Sequence, residues 1–482
     1  MRDVETRSWD LFVFSSDRFL VLDEDIRYHP ARIATSSDYV MTMKMNYHDV
    51  YREWVGNDPN DKTLYQYDVG LEVEAPMTLF SNNANVRLGF LRQTFSSMYT
   101  GEHHEAAFTG ATPGTYSFGG ALMFDGTPDK AGLRINYTTG TNRALINISQ
   151  YPQDNTDPLL NTYFYDLLEP AFGNEIRSDV TEHEVSYALE YNRTITPSLN
   201  VGLNFYHEID NDDFRINYYS SVQRITGSKT LDGSLLFKRY TLGCSCEYRF
   251  DRFILRSLAT YSIPRYQLAI DQNHSLQSNN VTLEILHLSD GSCDGKGAGI
   301  GAGFSYCLKE GMSAGLSCTF IRNSYSGALN GSTPVLGFAI LPIAHQLKTD
   351  FDDRMANALF SFVFNHEVSS RWKYSIGGEY LTSGNSIHYN YKILTEFGIG
   401  NTKEDNSAFW VVNIYKLDIT STVHITDKLG ATVLFEQYIP VITNSANEGG
   451  SVNPSPSVET RTLETHHWGG SVYHLAFFWK FH

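Results

Sequence analysis

Three features are scarce in this chain of 482 residues: long apolar runs, paired cysteines and positive charge. No run of about 18 apolar residues occurs, so no transmembrane helix is expected. The five cysteines are an odd number without a C-x-x-C spacing, which excludes a fully paired disulfide framework and a C-x-x-C metal or redox motif. With 37 Lys and Arg against 54 Asp and Glu, the net charge is −17, which disfavours a nucleic-acid partner.

Catalytic and metal-binding signatures are also missing. The sequence contains no G-x-S-x-G, P-loop or H-E-x-x-H motif, so we predict no enzyme and no cofactor. The histidine pairs at 103–104 and 466–467 and the acidic clusters at 210–213 and 350–353 lack further ligands at fixed spacing, so no metal site is predicted. The first ten residues hold no apolar signal-peptide core, and we expect a mature chain from which a signal peptide was removed.

Two-residue alternation is abundant, and it is clearest between Glu184 and Tyr206. The turn residues Thr196-Pro197-Ser198 separate two alternating arms, because proline presets its φ and cannot donate to a sheet ladder. Each arm has about nine or ten residues, the length that crosses a bilayer when tilted. One face of each arm is apolar, and the other mixes carboxylates, amides and glycine. This pattern predicts a transmembrane β-barrel, apolar toward lipid and polar toward its lumen.

The same hairpin pattern recurs from Tyr39 to the end of the chain. Short turns join the strands in pairs, and between the pairs lie long connections at 210–231, 265–296, 324–354, 383–407 and 441–466. Short turns are typical of the periplasmic side of outer-membrane barrels, and long loops of the extracellular side. We therefore predict an all-β, antiparallel up-and-down barrel of about 16 strands, within a range of roughly 14 to 18, over residues 38–482. Residues 1–37 alternate poorly and are predicted to form a periplasmic arm or a lumenal plug.

The polar face of the strands predicts which side chains line the lumen. Outward placement of an Arg or Lys would cost about 2 to 4 kcal/mol at the bilayer midplane, which supports this choice of faces. The wall is mixed in charge with an acidic excess, so the charges either pair across strands or select cations. The candidates are Asp68, Glu72, Glu74, Arg87, Arg134, Glu184, Glu190, Glu247, Arg249, Arg256, Lys373, Glu379, Asp418 and Glu436.

Two stretches of the predicted inner wall carry little polarity. Glycines at 297, 299, 301 and 303, continued by Gly315 on the next strand, leave a bare surface where a folded-in segment is expected. Leu434, Ala476 and Phe478 form an apolar seam beside Val40. The apolar run in residues 9–14 is a candidate plug for this seam, through Trp9, Leu11, Phe12 and Phe14.

The closing strand carries the strongest resemblance to known proteins. Its apolar residues alternate and end in an aromatic residue, followed by His482; they are Tyr473, Leu475, Phe477, Trp479 and Phe481. This strand resembles the last strand of Gram-negative outer-membrane proteins, which the barrel-assembly machinery reads as a signal. The resemblance implies an outer-membrane location. Aromatic residues near the turns would contact the lipid interface.

Three functions are compatible with these patterns. The leading hypothesis is a porin that passes ions or small polar solutes with a weak cation preference. The second is a transporter of hydrophobic compounds that resembles the FadL family, supported by the N-terminal arm and the apolar seam; that family's Asn-Pro-Ala hatch motif is absent and its barrel has fewer strands. The third is a non-conducting barrel that anchors a surface or secretion complex. Expected partners are outer-membrane lipids, the assembly machinery, small solutes and a homo-oligomeric or other protein partner.

Overall fold

The computed structural model describes residues 31, 37–53, 64–79, 82–100, 105–108, 114–126, 128–147, 175–222, 225–278, 281–336, 342–395, 402–447 and 462–481. Within these ranges no helix is long and apolar enough to span a membrane. The strands are β1 (Tyr39–Glu53), β2 (Leu64–Leu79), β3 (Asn82–Thr100), β4 (Glu105–Phe108), β5 (Gly114–Asp125), β6 (Asp129–Asn147), β7 (Glu175–Thr196), β8 (Leu199–Val222), β9 (Ile225–Phe250), β10 (Phe253–Ser278), β11 (Val281–Lys309), β12 (Met312–Leu336), β13 (Pro342–Ser369), β14 (Trp372–Thr395), β15 (Thr402–His424), β16 (Leu429–Asn447) and β17 (Thr462–Phe481).

The strands form one closed antiparallel sheet. Each wall strand pairs with its neighbours in sequence, and β17 pairs with β1 from Phe481 opposite Tyr39 to His467 opposite Glu53. The short β4 and the longer β5 both lie between β3 and β6, so they share one wall position. The seventeen segments therefore make a barrel of 16 wall strands, which confirms the predicted fold class and strand number.

Short turns connect the strands at one end of the barrel. The β9–β10 turn has Asp251 at φ 49°, and the β11–β12 turn has Gly311 at φ 74°. Glycine adopts this left-handed conformation without a Cβ clash, and aspartate tolerates it better than most residues. These connections agree with the predicted short turns.

At the opposite end of the barrel, the strands extend well beyond the predicted strand ends. Residues 210–222 and 225–231, expected to be a connection, belong to β8 and β9 and remain paired up to Val222 opposite Ile225. The connections predicted at 265–296, 324–354 and 383–407 are likewise mostly strand, and residues 441–447 and 462–466 of the connection predicted at 441–466 are strand too. Their side-chain pattern does not continue the lipid-facing alternation, which is why the sequence did not identify them as wall. Backbone pairing continues because it does not depend on which face is apolar.

An apolar belt on the outer face, here named the lipid band, marks the membrane-crossing part of the wall. A turn-side aromatic ring and a loop-side aromatic ring bound it, as in other barrels. On β9, Tyr240 and Tyr248 belong to the two rings and lie eight residues apart, roughly 26 Å of strand. The turn-side ring contains Tyr39, Tyr191, Tyr248, Phe250, Phe253, Trp372 and Phe481, all exposed. The loop-side ring contains Tyr67, Tyr116, Tyr137, Tyr240, Tyr261, Phe320, Phe360, Tyr415 and Tyr473, also exposed.

The predicted assembly-signal residues lie on the outer face of β17. Tyr473 and Phe481 are about half exposed, and Leu475, Phe477 and Trp479 are partly exposed between them. Their common face follows from the strand period of two, because their inner neighbours Ala476 and Phe478 are buried. Reading of these residues by an assembly machinery stays a prediction.

Candidate ligand-binding site in the barrel lumen

The predicted lumen-lining residues lie on the inner face of the wall. Asp68, Glu72, Glu74, Arg87, Arg134, Glu184, Glu190 and Glu436 are buried there, and Glu247, Arg256, Lys373, Glu379 and Asp418 are partly buried. Arg249 is exposed near the turn side, where its Nε donates to Glu247 at 2.8 Å. Their role in passing solutes stays a prediction.

Many of these charges form ion pairs across strands. Arg87 contacts Glu72 at 3.2 Å and Glu74 at 2.9 Å, with all three side chains nearly buried. Arg256 contacts Glu247 at 2.8 Å. Opposite charges in a low-dielectric wall stabilise each other, so their charges largely cancel within the wall rather than facing a passing ion.

A second inner-wall network links β14, β15, β16, β17 and β1. Lys416 Nζ lies 2.8 Å from Glu436, 3.5 Å from Glu379 and 3.8 Å from Asp418. His474 Nε2 lies 3.4 Å from Glu436, and its Nδ1 donates to Asn46 Oδ1 at 2.7 Å. Sequence reasoning identified the three carboxylates and missed Lys416 and His474, although both alternate with lipid-facing residues and so carried the same signal.

Two other charged side chains of the inner wall are almost completely buried. Arg134 is 2% exposed and Glu190 is 1% exposed. The backbone N–H of Ala31, which precedes β1, donates to Glu190 Oε2 at 3.0 Å, so residue 31 lies inside the barrel. A wide aqueous pore would leave such charged side chains in water, and their burial counts against the porin hypothesis. The plug candidates Trp9, Leu11, Phe12 and Phe14 lie outside the described residues, so the prediction of a plug at 1–37 is untested.

The glycine strip and the apolar seam are both covered by side chains of neighbouring strands. A Cβ at Gly299 would come within 2.7 Å of Thr260 Oγ1 and 3.3 Å of Ile321 Cγ1. In the seam, Phe478 lies directly opposite Gly430, and its ring occupies the space where a Cβ would stand. At these two positions the missing side chain accommodates a neighbour's side chain.

Beyond the loop-side ring the polarity of the wall reverses. The outer face there carries exposed charges such as Arg265 and Asp294, which lie 3.2 Å apart. The inner face carries Leu235, Phe237 and Tyr266. This part of β8 to β15, here named the upper wall, is therefore polar outside and apolar inside, as expected for a barrel that projects from the membrane into water.

The upper wall encloses a cavity of about 780 Å³ within the lumen. This is the size range of small-molecule sites, which are mostly apolar with a few placed polar groups. The apolar lining comes from six strands and comprises Leu235, Phe237, Tyr266, Leu268, Tyr325, Leu329, Phe351, Met355, Leu381, Ile387, Val412 and Ile414. None of these residues was predicted to form a site. Part of the lining lies in segments that were expected to be connections, namely Tyr266, Leu268, Tyr325, Leu329, Phe351 and Ile387.

Aromatic side chains form a row along one side of the cavity. The ring centroids of Phe237 and Tyr266 are 4.6 Å apart, and those of Tyr266 and Tyr325 are 5.9 Å apart. The Tyr325 ring lies against Gly295, where a Cβ would come within 2.6 Å of it. A glycine at 295 therefore allows the ring to lie flat against the wall, which keeps the cavity open.

Polar groups enter the cavity at two places. On β8 and β9, Arg239 donates to Glu208 at 2.6 Å, with both side chains buried, and its guanidinium lies 5.6 Å from the ring centroids of Tyr206 and Phe237. On β13 and β14, Asp353, Asn357 and Asn385 point toward the cavity, and a hydrogen bond from Asn385 to Asp353 joins two of them. We name these three residues the acceptor patch.

Two titratable groups of the cavity have shifted pKa values. Cys293 lies opposite Tyr266, which is five residues beyond the loop-side ring residue Tyr261 on β10. Burial raises the pKa of the Cys293 thiol to about 11, and the charges of Asp294 and Asp353 add to this effect. Burial also raises the pKa of Asp353, against hydrogen bonds from the Arg354 backbone and from Asn385. Both shifts favour the neutral form, as expected where water is largely excluded.

An acidic group borders the cavity on β7 and β8. Carboxylate oxygens of Glu182, Asp210 and Asp212 lie within 4.8 Å of one another. The acidic cluster at 210–213 was expected in a solvated loop, but it belongs to β8, so its even-numbered members face inward while Asp213 is exposed.

Fold and surface together define a transmembrane β-barrel of the outer-membrane type with a ligand-sized cavity in its lumen. Neither a protein-family model nor a curated protein sequence matches the chain. Among solved structures, the chain is similar to the P. putida toluene transporter TodX (TM-score 0.41, 9% identity, covering 95% of this chain and 94% of TodX). It is also similar to a Pseudomonas aeruginosa FadL homologue (0.42, 11%, 94% and 93%) and to the ferric yersiniabactin uptake receptor FyuA from Yersinia pestis (0.37, 8%, 93% and 81%). Such low similarity describes general architecture alone, so function has to be inferred from this chain's own residues.

Proposed function

We propose that this chain is an outer-membrane transporter that binds small hydrophobic compounds in its upper cavity during their passage across the outer membrane. The observation that carries the proposal is the reversal of polarity in the upper wall. Exposing an apolar inner surface to water in the lumen costs free energy. Covering that surface with an apolar ligand recovers about 25 cal/mol for each Å² of apolar surface removed from water. A wall built only to enclose a polar channel has no need of this surface.

This proposal replaces the porin hypothesis as the leading one. Porin function needs a continuous water path, and the charged inner wall below the cavity is buried and internally paired at Arg87 and Arg256. Two of the similar structures are a toluene transporter and a FadL homologue, which agrees with the proposed class without adding to its support.

Two further parts of the proposal rest on earlier expectations. The N-terminal arm would regulate access to the cavity from inside the barrel, and its support is the hydrogen bond between Ala31 and Glu190. Outer-membrane lipids would contact the lipid band, because its exposed apolar side chains are stable on the outer face only against hydrocarbon.

Uptake by a Gram-negative host that lacks its own major porins tests the proposal. We expect the chain to raise the initial uptake rate of radiolabelled butylbenzene about tenfold and to leave the uptake of a disaccharide unchanged. Ser383→Trp fills the cavity from its lining and should return butylbenzene uptake to the rate of the empty host. Ser386→Trp is the matched control, because Ser386 is exposed on the outer face of the same strand.

Planar-bilayer conductance separates the two functional classes. The proposed transporter should show little steady conductance. The proposal would be overturned, and the porin hypothesis restored, by three results together. These are steady conductance, uptake of the disaccharide, and butylbenzene uptake that Ser383→Trp does not change.

A further inference from the structure

The charged groups of the cavity are mainly carboxylates. Among the described lining residues the carboxylates are Glu208, Asp210, Asp212 and Asp353, and the one cation is Arg239, which contacts Glu208 at 2.6 Å. A bound molecule that carries a negative charge would therefore meet an acidic surrounding, whereas a cation would meet favourable potential.

The acceptor patch supplies a second, independent observation. Asn357 is 7% exposed and Asn385 is 4% exposed, and the Oδ1 atom of each has no hydrogen-bond partner among the described residues. Asp353 Oδ1 is buried and without a partner in the same way. Buried polar atoms are rarely left unsatisfied in folded proteins, so these acceptors call for a donor.

Asn385 neighbours each of the other two acceptors on the wall. Asn385 is directly opposite Met355 in the β13–β14 ladder, and Asp353 and Asn357 lie two residues to either side of Met355 on the same face. Asn385 is therefore within reach of a group bound at Asp353, whereas Asn357 lies four residues from Asp353, about 13 Å along the strand. Tyr325 is directly opposite Asp353 on the other neighbouring strand, so an aromatic face borders the patch.

We propose, resting on the function proposed above, that the acceptor patch binds the ammonium group of the ligand and that the transported compounds are apolar amines in their protonated form. An ammonium group supplies three donors and a positive charge, which match the carboxylate of Asp353 and the neighbouring amide oxygen of Asn385. The apolar body of the amine lies along Phe351, Tyr325 and the aliphatic lining, and aromatic faces attract cations. Alkylamines are protonated at neutral pH.

Binding of three ligands with one common body tests the inference. The probes are 4-phenylbutylamine, 4-phenylbutan-1-ol and 4-phenylbutanoate, each measured by equilibrium dialysis against the intact protein in lipid nanodiscs, with empty nanodiscs subtracted. We expect the amine to bind at least tenfold more tightly than the alcohol, and the carboxylate to bind most weakly. Ser383→Trp should weaken all three, which assigns the binding to the cavity.

Variants of the patch locate the ammonium group. Asp353→Asn and Asn385→Leu should each reduce amine affinity about tenfold and leave alcohol affinity unchanged. Asp352→Asn is the matched control, because it removes the same charge from an exposed outward position on the same strand and should change nothing. Far-ultraviolet circular dichroism and heat-modifiable migration verify that each variant is folded, and the two patch variants are judged independently.

The outcomes separate this inference from the proposed function. If the amine binds no more tightly than the alcohol while Ser383→Trp weakens both, the ammonium site is refuted and the hydrophobic cavity stands. If the amine preference survives in both patch variants, the site is refuted at this place. If neither the alcohol nor butylbenzene binds in a manner sensitive to Ser383→Trp, the proposed function fails together with the inference.

Discussion

The Nζ atom of Lys416 lies 2.8 Å from a carboxylate oxygen of Glu436, across the β15–β16 pair of the inner wall. Glu436 in turn lies 3.4 Å from His474 on β17, the strand that closes the barrel against β1. The pair thus belongs to a polar network that spans the closing seam.

Replacing Lys416 with methionine should destabilise the barrel. The change leaves Glu379, Asp418 and Glu436 together without their cation, and removing one partner of a buried ion pair costs about 3 to 5 kcal/mol. The guanidinium-chloride midpoint of unfolding measures the effect. Lys348→Met is the control, because Lys348 and its partner Asp350 are about half exposed and such pairs contribute under about 1 kcal/mol. Equal midpoints for the two variants would contradict the prediction.

An arginine at position 203 should identify the membrane-crossing part of the wall. Leu203 is 60% exposed on the outer face, opposite Cys244, which lies midway between Tyr240 and Tyr248. Arginine on the lipid face at the bilayer midplane costs about 2 to 4 kcal/mol. The free energy of unfolding in lipid vesicles should fall by this amount for Leu203→Arg. It should stay within about 0.5 kcal/mol for Ser324→Arg, which is exposed on the outer face of the upper wall.

Alkylation of Cys293 should depend steeply on pH. Its thiol has a pKa of about 11, so at pH 8 about one molecule in a thousand carries the reactive thiolate. The rate with iodoacetamide should rise about tenfold per pH unit between pH 8 and pH 10. A variant with Cys244, Cys246, Cys307 and Cys318 replaced by alanine isolates the reaction, and the variant that keeps only the exposed Cys307 should react faster at pH 8. A rate that levels off above about pH 9, as for an exposed thiol, would show that Cys293 is not buried as described.

Adding a methyl group at Gly295 should narrow the cavity. The new Cβ would lie 2.6 Å from the Tyr325 ring and 2.7 Å from Pro264 Cγ, so the ring has to move toward the lumen. We expect Gly295→Ala to weaken binding of 4-phenylbutan-1-ol about fivefold, and the double change with Tyr325→Leu to restore it. Gly120→Ala is the control, since its Cβ would meet only ordinary contacts at 3.4 and 3.6 Å. Unchanged binding in Gly295→Ala would exclude Tyr325 from the site.

Local alternation was enough to predict the lipid band, because each outward residue there meets hydrocarbon whatever the rest of the chain does. Val185 and Leu189 alternate with Glu184 and Glu190, and in the structure the two apolar side chains are exposed on the outer face while the two carboxylates are buried on the inner face. The strand count and the closure of β17 on β1 were predicted on the same basis. Ion-pair partners such as Arg87 and Glu72 depend on the register between strands, which side-chain alternation alone does not specify.

The cavity shows the limit of this reasoning on a single strand. On β9, Leu242 and Tyr248 occupy even positions and face lipid, whereas Leu235 and Phe237 occupy odd positions and face the lumen. In the sequence this change of parity resembles the end of a strand, and residues 210–231, just before it, were predicted to be a connection.

The sequence by itself determined the architecture: an alternating pattern, repeated with short turns, forces a closed barrel with a lipid-facing belt, since unpaired backbone groups are too costly in hydrocarbon. Only the tertiary structure decided where a ligand can bind. Closure assigns one face of each projecting strand to the lumen, and it brings Phe237, Tyr325 and Asp353 from three separate strands around one space. Which side is inside is a property of the closed wall and of no single strand.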